Sequence, residues 1–511
     1  MDTRESQVRR VLFWTLLLLG LGVRLWRFGA VPGGLNQDEA FAGYEAWALL
    51  SSGRDTAGYA FPVYLTAWGS GMNALETYLM IPFIALFGLK VWAVRLPQLL
   101  IACLSLPCVY GVGRRSGGET AGLAALGLTA LCPWHVLLSR WGLESNLAPG
   151  FLLFGLYFLL RGTQERRFLP LSALCCGLSL YCYATIWPVV PLILALELLS
   201  CLRGGKLRAD RWSLLSLLLL AVLALPLLLF LAVNFGWLPE LRGPILSIPK
   251  LLYLRAGELS AARAPENLRA LLSILWNQSD GLPWNSAGPY GLYYPMTLPF
   301  ALLGLGAAVY RCARKGSGFR PERLVLWNLL GALLLCALVQ VNVNRANILF
   351  FPLLLLAGEG IALLGKLWKG RLLPLVLAAY LCCFGLFTRY YFTDYRAAVE
   401  PSFASGLGEA IAAAPEDGTL VFSKEVYYPQ VLFYTRTPVE RFAETVRYRS
   451  YPAAYLSALS FDRYRLGWDG EAPEPGAAYI LSPWADLTPF REAGYHLEKF
   501  GYYTLAVRDD T

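Results

Sequence analysis

The chain has 511 residues, of which 56% are hydrophobic and only 15% are charged, and its mean hydropathy is +0.48. A soluble protein of this length cannot bury so much apolar surface, so the composition predicts a membrane protein. The net charge of +9 does not indicate nucleic acid, because the basic residues form short clusters between apolar runs, as in membrane proteins that use them to set orientation.

Eleven apolar runs approach the length of about 20 residues that a helix needs to cross a bilayer. They lie near residues 11–29, 93–113, 120–140, 147–161, 168–185, 186–202, 212–234, 291–311, 324–341, 347–365 and 371–392. A further run near 75–89 is short, begins at Glu76 and contains Pro82. For this run, length alone does not decide whether it crosses the membrane.

The positive-inside rule decides how the run at 75–89 is interpreted. If it does not cross, the later basic clusters between the runs share a side with Arg9 and Arg10; if it crosses, they all move outside. We therefore predict an interfacial or re-entrant helix there, about eleven spans, a cytoplasmic N-terminus and an extracytoplasmic C-terminus in a cell membrane. The loops predicted to face outside are 30–92, 141–146, 235–290 and 342–346.

The first outer loop contains a helical pattern that starts beside two acids, Asp38 and Glu39. Asn36 or Asp38 can cap its start, and apolar residues recur at helical spacing until Gly53. The pattern predicts a short amphipathic helix that lies on the membrane. The simplest alternative is that Asp38 only caps the helix.

Three further outer residues make a reactive site the stronger interpretation of the acids. Glu144 lies in the next outer loop, Arg95 at the outer start of the span near 93–113, and Arg345 in a short outer turn. Carboxylates and arginines beside a bilayer suit the deprotonation of a hydroxyl while a phosphate leaves. Arginine matches phosphate geometry, although a rim arginine that snorkels to the interface is the alternative for Arg345.

The long outer loop carries weaker candidates for substrate binding. Asp280, Trp284 and Asn285 combine an acid, an indole and an amide, as sugar-binding surfaces do, and a turn with an interfacial tryptophan explains them equally well. With only two histidines and no CxxC pair of zinc spacing, a protein-built zinc site is not expected.

From about residue 393 the chain becomes more polar. Short β-like runs at 419–422, 478–481 and 502–507 alternate with helical or turn-rich stretches such as 403–414. We predict two domains: a transmembrane domain over 1–392, whose outer loop 30–92 carries amphipathic helices, and a small extracytoplasmic α/β domain over 393–511.

The sequence resembles the GT-C glycosyltransferases, especially bacterial members of the protein mannosyltransferase and aminoarabinose transferase type. Four blocks carry the resemblance over roughly residues 10–390. They are Asp38-Glu39-Ala40; Ala93-Val94-Arg95-Leu96-Pro97; Pro133-Trp134-His135 followed by Ser139-Arg140 and Glu144; and Arg345 followed by Pro352.

The resemblance implies a polyprenyl-phosphate sugar donor and inverting transfer on the outer membrane face. By position, Asp38 corresponds to the general base, Glu39 and Glu144 to supporting acids, Arg345 to a ligand of the lipid phosphate and Arg95 to a second phosphate or carboxylate partner. The acceptor, whether glycan, lipid or protein, is not indicated.

The chain departs from the family where many relatives place a basic residue before two prolines. Here residues 68–76 contain no basic residue and end at Glu76, a further weak candidate for substrate binding. The donor phosphate is then held mainly by Arg345, or by a divalent metal bound through carboxylates; no other cofactor is expected.

The main rival class is a transporter or flippase for a lipid-linked or small polar solute. Such a protein needs ionisable groups near the bilayer midplane. The acids Glu197 and Glu359 lie near the ends of predicted spans instead. An inert membrane scaffold, the third alternative, leaves the cluster of outer acids unexplained.

Overall fold

The computed structural model describes residues 3–66, 71–254, 258–314, 318–368 and 370–508. It divides into two compact units. The helical unit comprises Met1–Trp26, Gln98–Leu228 and Arg255–Tyr395, and the sheet unit comprises Arg27–Pro97, Leu229–Leu254 and Arg396–Thr511. The sheet unit therefore groups the first outer loop with the C-terminal tail, whereas the predicted domain boundary near 392 separates them by sequence position.

Helices dominate the described residues. They are α1 (Thr3–Leu25), α2 (Gln37–Ser52), α3 (Leu75–Phe87), α4 (Val91–Gly117), α5 (Glu119–Leu131), α6 (Pro133–Leu138), α7 (Glu144–Gly162), α8 (Leu169–Ser179), α9 (Val189–Arg203), α10 (Arg211–Asn234), α11 (Ala264–Asn277), α12 (Thr297–Ala313), α13 (Pro321–Leu338), α14 (Val343–Ala346), α15 (Phe350–Leu367), α16 (Leu372–Phe392), α17 (Asp394–Val399), α18 (Leu407–Ala413), α19 (Tyr428–Thr435), α20 (Val439–Thr445) and α21 (Thr488–Glu492).

Each of the eleven predicted spans overlaps a helix. Among the described residues, five helical segments are long and apolar enough to cross a membrane: Val91–Gly117, Arg211–Asn234, Pro321–Leu338, Val343–Leu367 and Leu372–Phe392. The total of eleven crossings stays a prediction. The predicted run at 120–140 is not a continuous helix. It breaks between α5 and α6, because Pro133 cannot donate a helical hydrogen bond and disfavours helical backbone at Cys132.

The helix predicted not to cross, α3, has 13 residues. At 1.5 Å per residue it is about 20 Å long, shorter than the roughly 30 Å of a hydrocarbon core. It ends at Gly88, whose φ of +77° stops the helix.

The helix α2 begins and ends where the sequence predicts, but its environment corrects the prediction. Asn36 caps it in a capping box, and Gly53 ends it in the left-handed conformation. The prediction of an amphipathic helix on the membrane surface is wrong, because most of α2 is buried, including Phe41, Gly43 and Tyr44. Small residues allow this close packing against α3 and α19: a Cβ at Gly43 would lie 2.9 Å from Phe433.

The described strands all lie in the sheet unit: β1 (Tyr64–Leu65), β2 (Met72–Asn73), β3 (Leu241–Arg242), β4 (Ser247–Ile248), β5 (Thr419–Ser423), β6 (Arg447–Tyr448), β7 (Ala458–Phe461), β8 (Tyr464–Trp468), β9 (Ala477–Leu481), β10 (His496–Phe500) and β11 (Tyr503–Val507). The last seven form a mixed sheet of order β10-β11-β9-β5-β8-β7-β6 in the C-terminal part of this unit. Strand β5 is central and runs parallel to both neighbours. The three predicted strands correspond to β5, β9 and β11.

A turn after α2 is built on two buried carboxyl groups, Glu45 and Asp55, each about 1% exposed. Glu45 accepts hydrogen bonds from the backbone N–H, at 2.9 Å, and the hydroxyl of Thr56. Asp55 accepts from the backbone N–H of Tyr59 at 2.7 Å. Burial, and secondarily the nearby Asp55, raises the pKa of Glu45 to about 8. Burial also raises the pKa of Asp55 to about 6, against its backbone hydrogen bonds.

These raised pKa values predict that the protein is less stable at alkaline pH. Both carboxyls bind protons more tightly in the folded than in the unfolded chain. Proton binding therefore stabilises the folded state fully below about pH 4, and this stabilisation is lost as pH rises towards 8. We expect Glu45→Gln to flatten the dependence of unfolding temperature on pH between 5 and 8.5. Thermal unfolding in detergent, with the exposed Glu444→Gln as control, measures this. An unchanged slope in Glu45→Gln would contradict the assignment.

Candidate active site

The first outer loop is held by a buried ion pair between Arg95 and Glu39. The Arg95 Nε donates to Glu39 Oε1 at 2.7 Å and its Nη2 to Glu39 Oε2 at 2.9 Å. The same guanidinium donates to the carbonyls of Pro32 at 2.7 Å and Gly34 at 2.8 Å. Both side chains are 0% exposed, and Glu39 also accepts from the backbone N–H of Asn36 at 3.2 Å.

This geometry bears on two of the predicted roles. Arg95 was expected to be a second partner of the phosphate or of a carboxylate, and its pair with Glu39 matches the carboxylate alternative. Glu39 was expected to act as a supporting acid, but its side chain is 0% exposed and is paired with Arg95. They are positioning residues for the loop. The packing is tight as well, since a Cβ at Gly34 would lie 2.1 Å from the carbonyl oxygen of Phe403, and φ at Gly34 is +73°.

Asp38 lies in the first turn of α2, next to this pair. The helix cap is Asn36, whose Oδ1 accepts from the backbone N–H of Asp38 at 3.0 Å. The capping alternative for Asp38 is therefore wrong. The residue is half-buried.

The predicted residues of the helical unit gather around the short helix α14. Arg345 donates from Nη2 to Glu258 Oε2 at 2.8 Å and from Nη1 to the carbonyl of Gln340 at 3.0 Å. Its side chain is 20% exposed and that of Glu258 is 25% exposed. Asn342 caps the helix by accepting from the backbone N–H of Arg345 at 2.9 Å.

Asp280 connects the long outer loop to this turn. Its Oδ2 accepts from the backbone N–H of Val343 at 2.9 Å and from Asn285 Nδ2 at 2.7 Å, and its Oδ1 accepts from the backbone N–H of Leu282 at 3.0 Å. These contacts give Asp280 and Asn285 a positioning role for the Arg345 turn, and the substrate-binding role of both residues stays a prediction. Trp284, between them in sequence, is half-buried.

A second set of amide contacts fixes Glu144 relative to Arg345. Glu144 begins α7 and is 6% exposed. Two residues later, Asn146 Oδ1 accepts from Asn347 Nδ2 at 2.9 Å, and Asn347 Oδ1 accepts from Trp134 Nε1, also at 2.9 Å. The start of α7 and the turn that carries Arg345 are therefore held together within the helical unit.

The candidate residues thus form one set in each unit. The sheet unit holds Asp38, Glu39, Glu76 and Arg95, and the helical unit holds Glu144, Asp280, Trp284, Asn285 and Arg345. Glu76 is 2% exposed in the first turn of α3. The sequence did not reveal Glu258 or the Asn146–Asn347 contact as parts of the site. For Glu258, the only available signal was that it is an acid in the long outer loop that could pair with Arg345.

Within the part of the chain that the structure describes, no cluster of three or more His, Cys, Asp or Glu residues is arranged to hold a metal ion. Arg345 and a divalent metal both stay predictions for the partner of the donor phosphate.

The comparisons with known proteins bear on this arrangement. A family model described as dolichyl-phosphate-mannose-protein mannosyltransferase matches residues 75–230. The structure of ArnT from Cupriavidus metallidurans bound to undecaprenyl phosphate superposes with a TM-score of 0.56 at 13% identity, covering 99% of this chain and 98% of that one. The apo form of ArnT gives a TM-score of 0.55 at 15% identity with the same coverage.

A more distant match is the archaeal oligosaccharyltransferase AglB from Archaeoglobus fulgidus, in complex with an inhibitory peptide and a dolichol-phosphate. Its TM-score is 0.50 at 12% identity, and the match covers 86% of this chain and 64% of that one. The chain has a GT-C fold. The resemblance predicted from the four sequence blocks is confirmed. A search of curated proteins by sequence gives no match.

The buried pair predicts a large loss of stability when one partner is removed. Arg95→Ala leaves the Glu39 carboxylate buried without its cation, a change that costs about 3–5 kcal/mol in comparable buried pairs. We expect a marked fall in the unfolding temperature in detergent. Arg441→Ala, which breaks the more exposed Arg441–Asp462 pair, is the matched control and should change it little. Equal effects of the two substitutions would contradict the role given to Arg95.

Proposed function

We propose that this protein is a glycosyltransferase that moves a sugar from a polyprenyl-phosphate-linked donor to an acceptor hydroxyl. The observation that carries the proposal is the GT-C fold shared over 99% of the chain with a protein whose structure contains undecaprenyl phosphate. The family model matched at 75–230 is named for a dolichyl-phosphate-mannose enzyme, and the archaeal match contains a dolichol-phosphate, so all three point to one class of donor.

The chemistry needs few groups. A sugar joined through phosphate to a lipid already has its leaving group, so no nucleotide-binding fold is required. An acceptor hydroxyl has too high a pKa to attack unaided, and a carboxylate that accepts its proton in line with the anomeric carbon accelerates the reaction by about 10²–10⁴-fold. We assign this base to Asp38; attack from the side opposite the phosphate inverts the anomeric centre.

We assign the phosphate to Arg345. Its guanidinium has five N–H donors, of which the bonds to Glu258 and Gln340 use two. The pair with Glu258 is partly exposed, so a phosphate can compete with that carboxylate at a modest cost. Arginine then stabilises the charge that grows on the departing phosphate. Glu144, held near this turn through Asn146 and Asn347, is the supporting acid.

The proposed topology follows from the basic clusters. The protein is a multi-pass protein of a cell membrane with a cytoplasmic N-terminus, and its reaction and C-terminal tail lie on the extracytoplasmic side. The lipid tail of the donor stays in the bilayer, which accounts for a site at the membrane rim. The sugar is left open.

The transport alternative gains no support from the acids it would use. Glu197 accepts a hydrogen bond from Asn328 Nδ2 at 2.7 Å, and Glu359 is paired with Arg311. Both carboxylates thus have partners within the helical unit rather than facing a solute pathway as unpaired groups.

The proposal predicts that the purified protein releases free lipid phosphate from one member of a panel of radiolabelled polyprenyl-phosphate sugars, with a crude cell-envelope acceptor. Arg345→Ala should lower the rate at least about 100-fold, as loss of a donor to a developing oxyanion does. Arg345→Lys, which keeps the charge but not the fork, should retain part of the activity.

Two controls separate the alternatives. Arg263→Ala changes an arginine of the long outer loop, directly before α11, and should leave the rate unchanged. If no donor reacts, and labelled lipid-linked sugar instead crosses proteoliposome membranes, the enzyme proposal fails and the transporter replaces it. Activity that is lost with EDTA and restored by a divalent cation would assign the phosphate to a metal rather than to Arg345.

A further inference from the structure

The sheet unit contains a cavity of about 660 Å³ that includes none of the residues proposed for the donor or the base. Its volume falls within the roughly 300–1,000 Å³ of ligand-binding pockets. The walls come from three separated parts of the unit: the turn at 56–59, the segment 250–253 that follows β4, and the stretch 442–456 around α20 and β6. The cavity is therefore a product of the fold and not of one loop.

Aromatic rings form much of its lining. Tyr448 and Tyr451 are stacked, with ring centroids 5.7 Å apart and an interplanar angle of 17°. Tyr451 is 75% exposed and Tyr253 is 44% exposed. Flat aromatic faces presented to solvent suit the C–H faces of sugar rings, and the phenol groups suit sugar hydroxyls. The exposed rings indicate a ligand with alternating apolar and hydroxyl-bearing surfaces.

Among the described residues, the charged residues of the lining are basic: Arg242 and Lys250 line the cavity, and no described Asp or Glu does. Arg242 is fixed in place: its Nη2 donates to the Tyr59 hydroxyl at 3.1 Å, its guanidinium lies 4.2 Å from the centroid of that ring, and its Nε donates to Glu240 at 2.8 Å. The pair with Glu240 is exposed, so a ligand anion can share the arginine at low cost. The charge thus favours an anionic ligand.

The wall at 56–59 is rigid. Glu45 holds Thr56 and Asp55 holds Tyr59 through the buried hydrogen bonds described above. Thr56 and Tyr59 are thereby fixed at the cavity before a ligand arrives, which lowers the entropic cost of binding.

We infer that this cavity binds an oligosaccharide that carries anionic groups, carboxylate or phosphate, as the acceptor of the transferase. The assignment as acceptor rests on the proposed function; the assignment of the ligand class rests on the cavity alone. The rings would stack on the sugar rings, and Arg242 and Lys250 would contact the anionic groups.

Calorimetric titration of the full-length protein, in nanodiscs of uncharged lipid and without donor, tests the ligand class. The probes are a hexagalacturonate, a phosphorylated mannose hexamer, the neutral maltohexaose and a hexaglutamate peptide. We expect at least one anionic oligosaccharide to bind at least about tenfold more tightly than maltohexaose and hexaglutamate. The combined Arg242→Ala and Lys250→Ala variant should lose at least about tenfold in affinity, as for the loss of charged hydrogen bonds. Tyr451→Ala should also weaken binding.

The control variant combines Lys424→Ala and Arg441→Ala, which remove two exposed cations of the same unit that do not line the cavity. It should bind as the wild type does. Equal binding of hexaglutamate would indicate a peptide site, and failure of both anionic oligosaccharides to bind, or binding that the Arg242 and Lys250 substitutions leave unchanged, would overturn the inference. Because no donor is present, a failed transferase assay does not affect this result.

If the transferase assay succeeds, a second measurement tests the acceptor role. The Arg242 and Lys250 substitutions should lower transfer to the anionic oligosaccharide at least about tenfold while the release of lipid phosphate to water stays unchanged, because the donor contacts are elsewhere in the chain. Unchanged transfer with weakened binding would show that the cavity binds the glycan without serving as the acceptor site.

Discussion

The ion pair between Arg95 and Glu39 is the contact on which the organisation of the first outer loop depends. One guanidinium holds a carboxylate and two backbone carbonyls while fully excluded from solvent. A buried pair of this kind adds little net stability compared with apolar packing, and is better explained by what it positions. Here it fixes the entry to α2, where Asn36 caps the helix and Asp38 follows. The loop is further attached to the tail through the hydrogen bond from Gln430 Nε2 to the carbonyl of Leu35 at 3.0 Å.

In the helical unit, too, polar contacts position a proposed reactive residue, but the groups that make the contacts differ. The groups that donate these hydrogen bonds to Asp280 are backbone and amide N–H groups and not cations. The bonds connect the long outer loop to the turn that carries Arg345. Glu258 pairs with Arg345, and the Asn146–Asn347 contact connects α7 to the same turn. In both units, polar residues that are predicted to take part in the reaction or to bind substrate also position a neighbouring residue. The proposed reactive groups, Asp38 and Arg345, each sit beside such a support.

Much of the fold could be predicted from the sequence. Long apolar runs with basic clusters between them indicate membrane helices, and the short β-like runs indicate β5, β9 and β11. The cap of α2 and its end at Gly53 could also be predicted, because local sequence signals determine both. What could not be predicted depends on distant partners. The burial of α2 requires Phe433 and its neighbours, almost 400 residues later. The sequence leaves open whether Arg95 pairs with a phosphate or with a carboxylate, and only the fold brings Glu39 and the carbonyls of Pro32 and Gly34 around it. Strands β6, β7, β8 and β10 contain no run of strictly alternating buried and exposed residues that the sequence could show.

The most direct test of the account is single-turnover transfer by Asp38→Asn with whichever donor the wild type consumes. The amide keeps the shape of the side chain and leaves the Asn36 cap intact but cannot accept the hydroxyl proton. The account predicts an unfolding temperature close to that of the wild type and a transfer rate lowered by about 10²–10⁴-fold. A folded Asp38→Asn protein that transfers sugar at the rate of the wild type would show that Asp38 is not the base.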